Sequence, residues 1–296
     1  MKFKSVFRDL SAKLYVTEPS QEWLYSGGSM SPSARSKGRP IIALRNVSLE
    51  REGMRLLDGI DWEVYPGEQW AIIGQNGAGK TLLLKIVATY LWPSRGKVEV
   101  LGKEFGKIAL QRLRDKISWV SSALEEELPQ DQPLIDVLLT GYFSTFRLFD
   151  KPSPQIIRRA KRLLKLMGLQ GREGQVFRTL SAGEKRKILI ARAIMKKPRI
   201  LILDEVCAGL DPVARKEYLE SIQQLIRRER DITVLFVTHH LEEIFPEITH
   251  ILGLKQGRVI FSGDKETQLN TRNIISLFGE GIELRKFNHT YHLEVQ

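Results

Sequence analysis

The chain has 296 residues, 42% of them hydrophobic, enough for a buried core in one large domain or two small ones. No apolar run approaches the roughly eighteen residues a membrane-spanning helix needs, and the single cysteine, Cys207, excludes an internal disulfide and agrees with a reducing compartment. Lys+Arg 46 against Asp+Glu 35 leaves a net charge of +11, a balance that admits contact with anionic lipid or nucleic acid without requiring it.

Residues 1–40 read as a flexible basic extension, with seven bases against three acids and a polar Gly/Ser/Pro linker over 26–38. Met1–Val16 lacks the continuous apolar stretch of a secretory signal, while organelle targeting stays open. From Ile41 the pattern becomes ordered. Strand-like segments at 41–49, 60–65, 69–73 and 97–101 predict a small β-rich part beside a nucleotide-binding core. Ser153-Pro154 starts a helix that Gly168 is fit to stop. Ile200-Leu201-Ile202-Leu203 and Ile232–Val237 are continuously apolar, as parallel strands covered on both faces are. Asp211-Pro212 opens a further helix toward Arg227.

The most specific motif is Gly74-Gln75-Asn76-Gly77-Ala78-Gly79-Lys80-Thr81, a Gly-x-x-x-x-Gly-Lys-Thr phosphate loop between an apolar strand and a helical run. Its glycines let backbone N–H groups converge on phosphate oxygens, and the helix turns its positive end toward the same anion. Lys80 can reach the β- and γ-phosphates, and the Thr81 hydroxyl can ligate Mg²⁺. The chain is therefore expected to bind a nucleoside triphosphate.

Further pieces follow. The strand 200–203 ends in Asp204 and Glu205; the first can hold Mg²⁺ through its water shell, the second can polarise an attacking water. Leu180-Ser181-Ala182-Gly183-Glu184 precedes an apolar-periodic helix. It reads either as a capping box or, through Ser181 and Gly183, as a second phosphate cradle. Val237-Thr238-His239 ends a core strand with an imidazole able to hydrogen-bond a γ-phosphate. The bases of 158–165 and 185–187 read as solvated helix faces, with nucleic acid or anionic lipid as the alternative partner.

Together these segments resemble the ATP-binding cassette (ABC) ATPases over about residues 41–263. The resemblance implies an α/β fold: a phosphate-loop NTPase with a parallel-sheet core, an antiparallel β subdomain and a helical signature subdomain at about 121–195. The ATPase domain would span 41–266, with 267–296 as a C-terminal tail. Gly74–Thr81 matches the Walker A loop, Leu180–Glu184 the signature, Leu203-Asp204-Glu205 the Walker B strand with its catalytic Glu205, Ala208–Asp211 the D-loop, and His239 the switch histidine. ATP and Mg²⁺ are the implied cofactors. Two cassettes would face head to tail, Ser181 and Gly183 of one binding the γ-phosphate on the other.

Departures from the family pattern are visible. Glu184 replaces the usual Gln, and is tolerable beside phosphate only if it turns back to cap its helix. Ser122 stands where a Gln normally contacts Mg²⁺ and water, and is too short for the same reach. Arg51 occupies the place of the adenine-stacking aromatic, where a guanidinium plane could stack instead. Val206 replaces a Pro. The segments 119–122 and 139–143 resemble a branch associated with molybdate or iron-complex handling. The expected function is ATP hydrolysis powering solute transport by an integral membrane permease, with the chain cytoplasmic and peripheral at the inner face of a membrane. A soluble ABC ATPase acting on nucleic acid or a macromolecular complex is the rival. A phosphate-loop kinase or GTPase gives no reason for the signature segment.

Overall fold

The computed structural model describes residues 38–287 and 290–295. The basic extension expected at 1–40 lies outside them except for its last three residues.

Strands β1 (Ile42–Arg51), β2 (Met54–Val64), β4 (Arg95–Val100) and β5 (Lys103–Glu104) form an antiparallel sheet in the order β2-β1-β4-β5. The second sheet has six strands, β10-β9-β3-β8-β7-β6, built from β3 (Trp70–Ile73), β6 (Ile117–Ser121), β7 (Ile200–Asp204), β8 (Thr233–Thr238), β9 (His250–Lys255) and β10 (Arg258–Asp264). Its strands run parallel except β10, which returns antiparallel to β9. Two-residue alternation explains how continuously apolar strands are used. Leu201 and Leu203 face a core shared with the helices, whereas Ile200 and Ile202 face a second core that includes the antiparallel sheet.

Helix α1 (Lys80–Val87) follows the phosphate loop and packs Leu83, Leu84, Ile86 and Val87 into that second core. Between β6 and β7 lie α2 (Leu134–Phe143), α3 (Pro154–Leu166) and α4 (Ala182–Ala193), a helical insertion over the residues expected to be helical. Helix α5 (Pro212–Arg228) begins at Asp211, whose carboxylate accepts from the Val213 and Ala214 N–H groups at 2.9 and 3.0 Å.

Of residues 267–296, expected to be a tail, the described ones, 267–287 and 290–295, are instead part of the folded body. Helix α6 (Thr271–Phe278) buries Ile274 and Leu277, and the hairpin β11 (Ile282–Phe287) and β12 (Thr290–Val295) buries Tyr291 in the helix-side core. These elements are only six to eight residues long, yet the pattern is in the sequence: α6 carries Ile274, Ile275, Leu277 and Phe278, and Tyr291, Leu293 and Val295 alternate as strand residues do.

Candidate functional site

The parallel sheet aligns the C-terminal ends of four strands. Ile73 pairs with Thr238, Asp204 with Val237, and Ser121 with Asp204. The segments that follow, at Gly74, Ser122, Glu205 and His239, consequently leave one edge, where open α/β sheets bind ligands.

The phosphate loop is held close by glycine. A Cβ on Gly74 would lie 2.2 Å from the Leu254 carbonyl oxygen. Gly79 caps α1 at φ 101, and a Cβ there would meet Leu57 Cδ2 at 2.8 Å. An open cleft of about 320 Å³ lies above, lined by Asn76–Leu82 and Glu205. Lys80 is buried, and its Nζ donates to the carbonyl oxygens of Gly74 at 2.8 Å and Gln75 at 3.1 Å. The same nitrogen lies 3.8 Å from Glu205 Oε1. Burial lowers the Lys80 pKa while Glu205 and Asp204 pull it back up.

Glu205 has φ 48, an unusual left-handed backbone for a non-glycine residue, and its N–H donates to the Val237 carbonyl at 3.1 Å. This kink turns the carboxylate out of the strand and over the loop. Its Oε1 is 3.6 Å from His239 Nδ1, and the imidazole stacks obliquely on His240 with centroids 4.1 Å apart. Asp204, behind Glu205, has its pKa raised to about 6 by burial first and the Glu205 charge second. The Asp204 carboxyl and the exposed Thr81 hydroxyl at the start of α1 are oxygen donors of the kind a small hard cation takes, and a cation there would offset the burial and the Glu205 charge that oppose ionisation of Asp204.

Lys80, Thr81, Asp204, Glu205 and His239 are thus brought to one edge. Ser181 and Gly183 are outside the lining of that cleft. Ser181 caps α4: its Oγ accepts from the Glu184 N–H at 3.3 Å, and Glu184 Oε2 accepts from the Ser181 N–H at 3.0 Å. The condition set on Glu184 is met, and more tightly than its sequence position indicates. Arg172 grips both carboxylate oxygens at 2.5 and 3.2 Å, holding Glu184 below the usual carboxylate range. Gly183 is buried, with a Cβ there only 3.2 Å from the Ala214 Cβ of α5, so close helix packing is one reason for a small residue here.

Ser122 immediately follows the residue that pairs with Asp204, and its carbonyl accepts from Arg186 Nη1 at 3.1 Å. The loop is therefore tied by its backbone to helix α4. Arg51 is exposed at the β1–β2 turn, paired with Met54. The bases 185–187 are not a solvated face. Lys185 and Arg186 both reach Glu125, at 3.3 and 3.2 Å, and Lys187 reaches Glu217 at 3.1 Å.

A glycine cradle opening a helix, with a buried lysine and a strand-end carboxylate pair beside it, defines a phosphate-loop nucleotide-hydrolysing protein. Comparisons with known proteins narrow the class. The ABC transporter family model matches residues 57–208. The chain is 42% identical to the uncharacterized ABC transporter ATP-binding protein YlmA of Bacillus subtilis, covering 80% of this chain and 90% of that protein. It is 37% identical to the corresponding YmeB protein of Lactococcus lactis, over 85% and 97% respectively. Among solved structures, cbiO1 from Clostridium perfringens, part of the ABC transporter complex cbiONQ, superposes with a TM-score of 0.70 at 26% identity, over 80% and 93%. The chain belongs to the ABC transporter ATP-binding family. It is an ATP-binding ATPase subunit of that class, and among its described residues no helix is long and apolar enough to cross a membrane.

Proposed function

We propose that this chain powers solute movement by an integral membrane permease, with two cassettes closing on ATP and parting after hydrolysis. The observation that supports the reading best is the convergence of Lys80, Glu205 and His239 above the glycine cradle, within 3.8 and 3.6 Å of the same Glu205 oxygen.

Lys80 rests on two loop carbonyls and a carboxylate, partners that a triphosphate would displace; its charge then meets the β- and γ-phosphates. Glu205, turned out by its left-handed backbone, orients the attacking water and accepts its proton. His239 steadies that carboxylate and donates toward the γ-phosphate. Thr81 and Asp204 are the residues that would hold Mg²⁺, which when bound neutralises phosphate charge. Ser122 lends a hydroxyl at the same edge, and Arg51 a planar cation for the adenine. Ser181, exposed at the N-terminus of α4, is presented outward, where the γ-phosphate bound to a second cassette could meet it.

The surface that meets the permease lies on the insertion near 124–149, where Tyr142, Phe146 and Phe149 are exposed, Phe149 to 82%. The nucleic-acid reading loses one of its main supports, because the bases at 185–187 are engaged in ion pairs. Replacing Lys80 by Ala tests the assignment: ATP binding or hydrolysis should be abolished, and a fully active variant removes it.

A further inference from the structure

The chain after His239 makes a single 3-10 turn, Leu241–Glu243, and its last residue carries a carboxylate only 3% exposed. Such a group needs partners, and it has an unusual set. Glu243 Oε2 accepts from Thr238 Oγ1 at 2.5 Å, and that same hydroxyl accepts from the His240 N–H at 2.9 Å. Carboxylate, hydroxyl and amide therefore close a ring around His239, joining the residue before it to the residues after it. Burial pushes the Glu243 carboxyl up and the Thr238 hydroxyl pulls it back, so the group leans on that hydrogen bond.

The surroundings give the ring a purpose. A cavity of about 190 Å³ lies beside it, lined by Glu205, Cys207, Ala208 and Gly209 on one side and Thr238, His239, His240 and Glu243 on the other. Inside it His239 Nδ1 makes no hydrogen bond among the described residues, and Glu205 Oε1 stands 3.6 Å away. The imidazole is thus not fixed by a bond of its own ring; its place is set by the backbone that carries it. Arg215, in the first turn of α5 just past the 208–211 segment, lines the same cavity and approaches the turn, with Nε 3.6 Å from Glu243 Oε1 and Nη1 3.6 Å from Glu242 Oε1. The C-terminal strand β12 packs on the same turn.

We propose that Glu243 is the positioning residue of His239, acting through its hydrogen bond to Thr238 to hold the imidazole at the Glu205 carboxylate. The inference rests on the reading of His239 given above. Catalytic groups misplaced by about 1 Å lose on the order of a hundredfold in rate, whereas nucleotide affinity is set elsewhere, at the loop 74–81.

The test compares Glu243→Ala, Glu243→Gln, Thr238→Val and His239→Ala for kcat, KM for ATP, affinity for a nonhydrolysable ATP analogue, and melting temperature. Glu243→Ala and Thr238→Val should each lose roughly ten- to a hundredfold in kcat with analogue affinity within about twofold of wild type. Glu243→Gln keeps an acceptor oxygen for Thr238 and should recover most of the lost rate. The proposal is overturned if Glu243→Gln is as slow as Glu243→Ala, or if affinity and melting temperature fall in step with kcat in both Glu243→Ala and Thr238→Val. It is also overturned if both of these variants turn over normally while His239→Ala does not. A normally active His239→Ala overturns the reading of His239 itself, and this inference with it.

Discussion

Replacing Gly74 by Ala tests whether the cradle's geometry, rather than its charge, governs nucleotide use. The added Cβ would sit 2.2 Å from the Leu254 carbonyl oxygen and 3.3 Å from the Ala78 Cβ. An ordinary carbon–oxygen contact needs about 3.3 Å, so the loop or β9 must give by about 1 Å. A shift of that size at a phosphate-binding loop should lower kcat/KM by about a hundredfold. Gly77→Ala is the control, because Gly77 has φ +81 but nothing within 4 Å of the added atom. With no protein atom in the way, its cost within the chain is backbone strain, about 1–2 kcal/mol, or roughly tenfold. Phosphate release as a function of ATP concentration, with circular dichroism to confirm folding, gives both numbers. If Gly74→Ala is no worse than Gly77→Ala, the close approach to Leu254 does not matter and the reasoning fails.

Two further outcomes concern charge. Glu184→Gln keeps the oxygen that caps Ser181 but loses the charge that Arg172 grips, at a cost of about 0.5–1 kcal/mol for a partly exposed pair. Glu184→Ala loses the reciprocal cap as well and should be about 1 kcal/mol worse by thermal or urea unfolding; equal losses would contradict the capping account. Asp204, with its folded pKa raised to about 6, binds its proton more tightly folded than unfolded. In chelator and without nucleotide, the wild type should therefore gain stability relative to Asp204→Asn as pH falls from 7.5 toward 4. Parallel stability curves for the two proteins would contradict that placement.

Much of the site could be read from residue order because its chemistry is local. The phosphate loop, the Asp204-Glu205 strand end and His239 each announce themselves within eight residues, and their continuously apolar strands reveal the parallel sheet that collects them. What escaped reading depends on distant partners. Lys185, Arg186 and Lys187 look like a solvated basic run until folding brings Glu125 and Glu217 against them. Arg172 carries no sign of its grip on Glu184, twelve residues away. Gly183 reads as part of a phosphate cradle, yet the structure also shows a helix-packing reason for it in Ala214. The elements beyond 267 carry short-range alternation, as in Tyr291-His292-Leu293-Glu294-Val295, but nothing local shows which core they join; Tyr291 is buried only through the helix-side core. Glu243 gives no local signal either, since its role follows from the fold of the turn around His239.

The central claim is that two copies, or two related cassettes, enclose ATP and that each lends Ser181 to the other. Sedimentation of Glu205→Gln with Mg²⁺ and ATP measures this directly, alone and combined with Ser181→Arg. The account predicts a stable, slowly hydrolysing dimer from Glu205→Gln and a monomer from the double variant. A Glu205→Gln protein that binds ATP yet stays monomeric, or a double variant that dimerises as well as the single one, would contradict it.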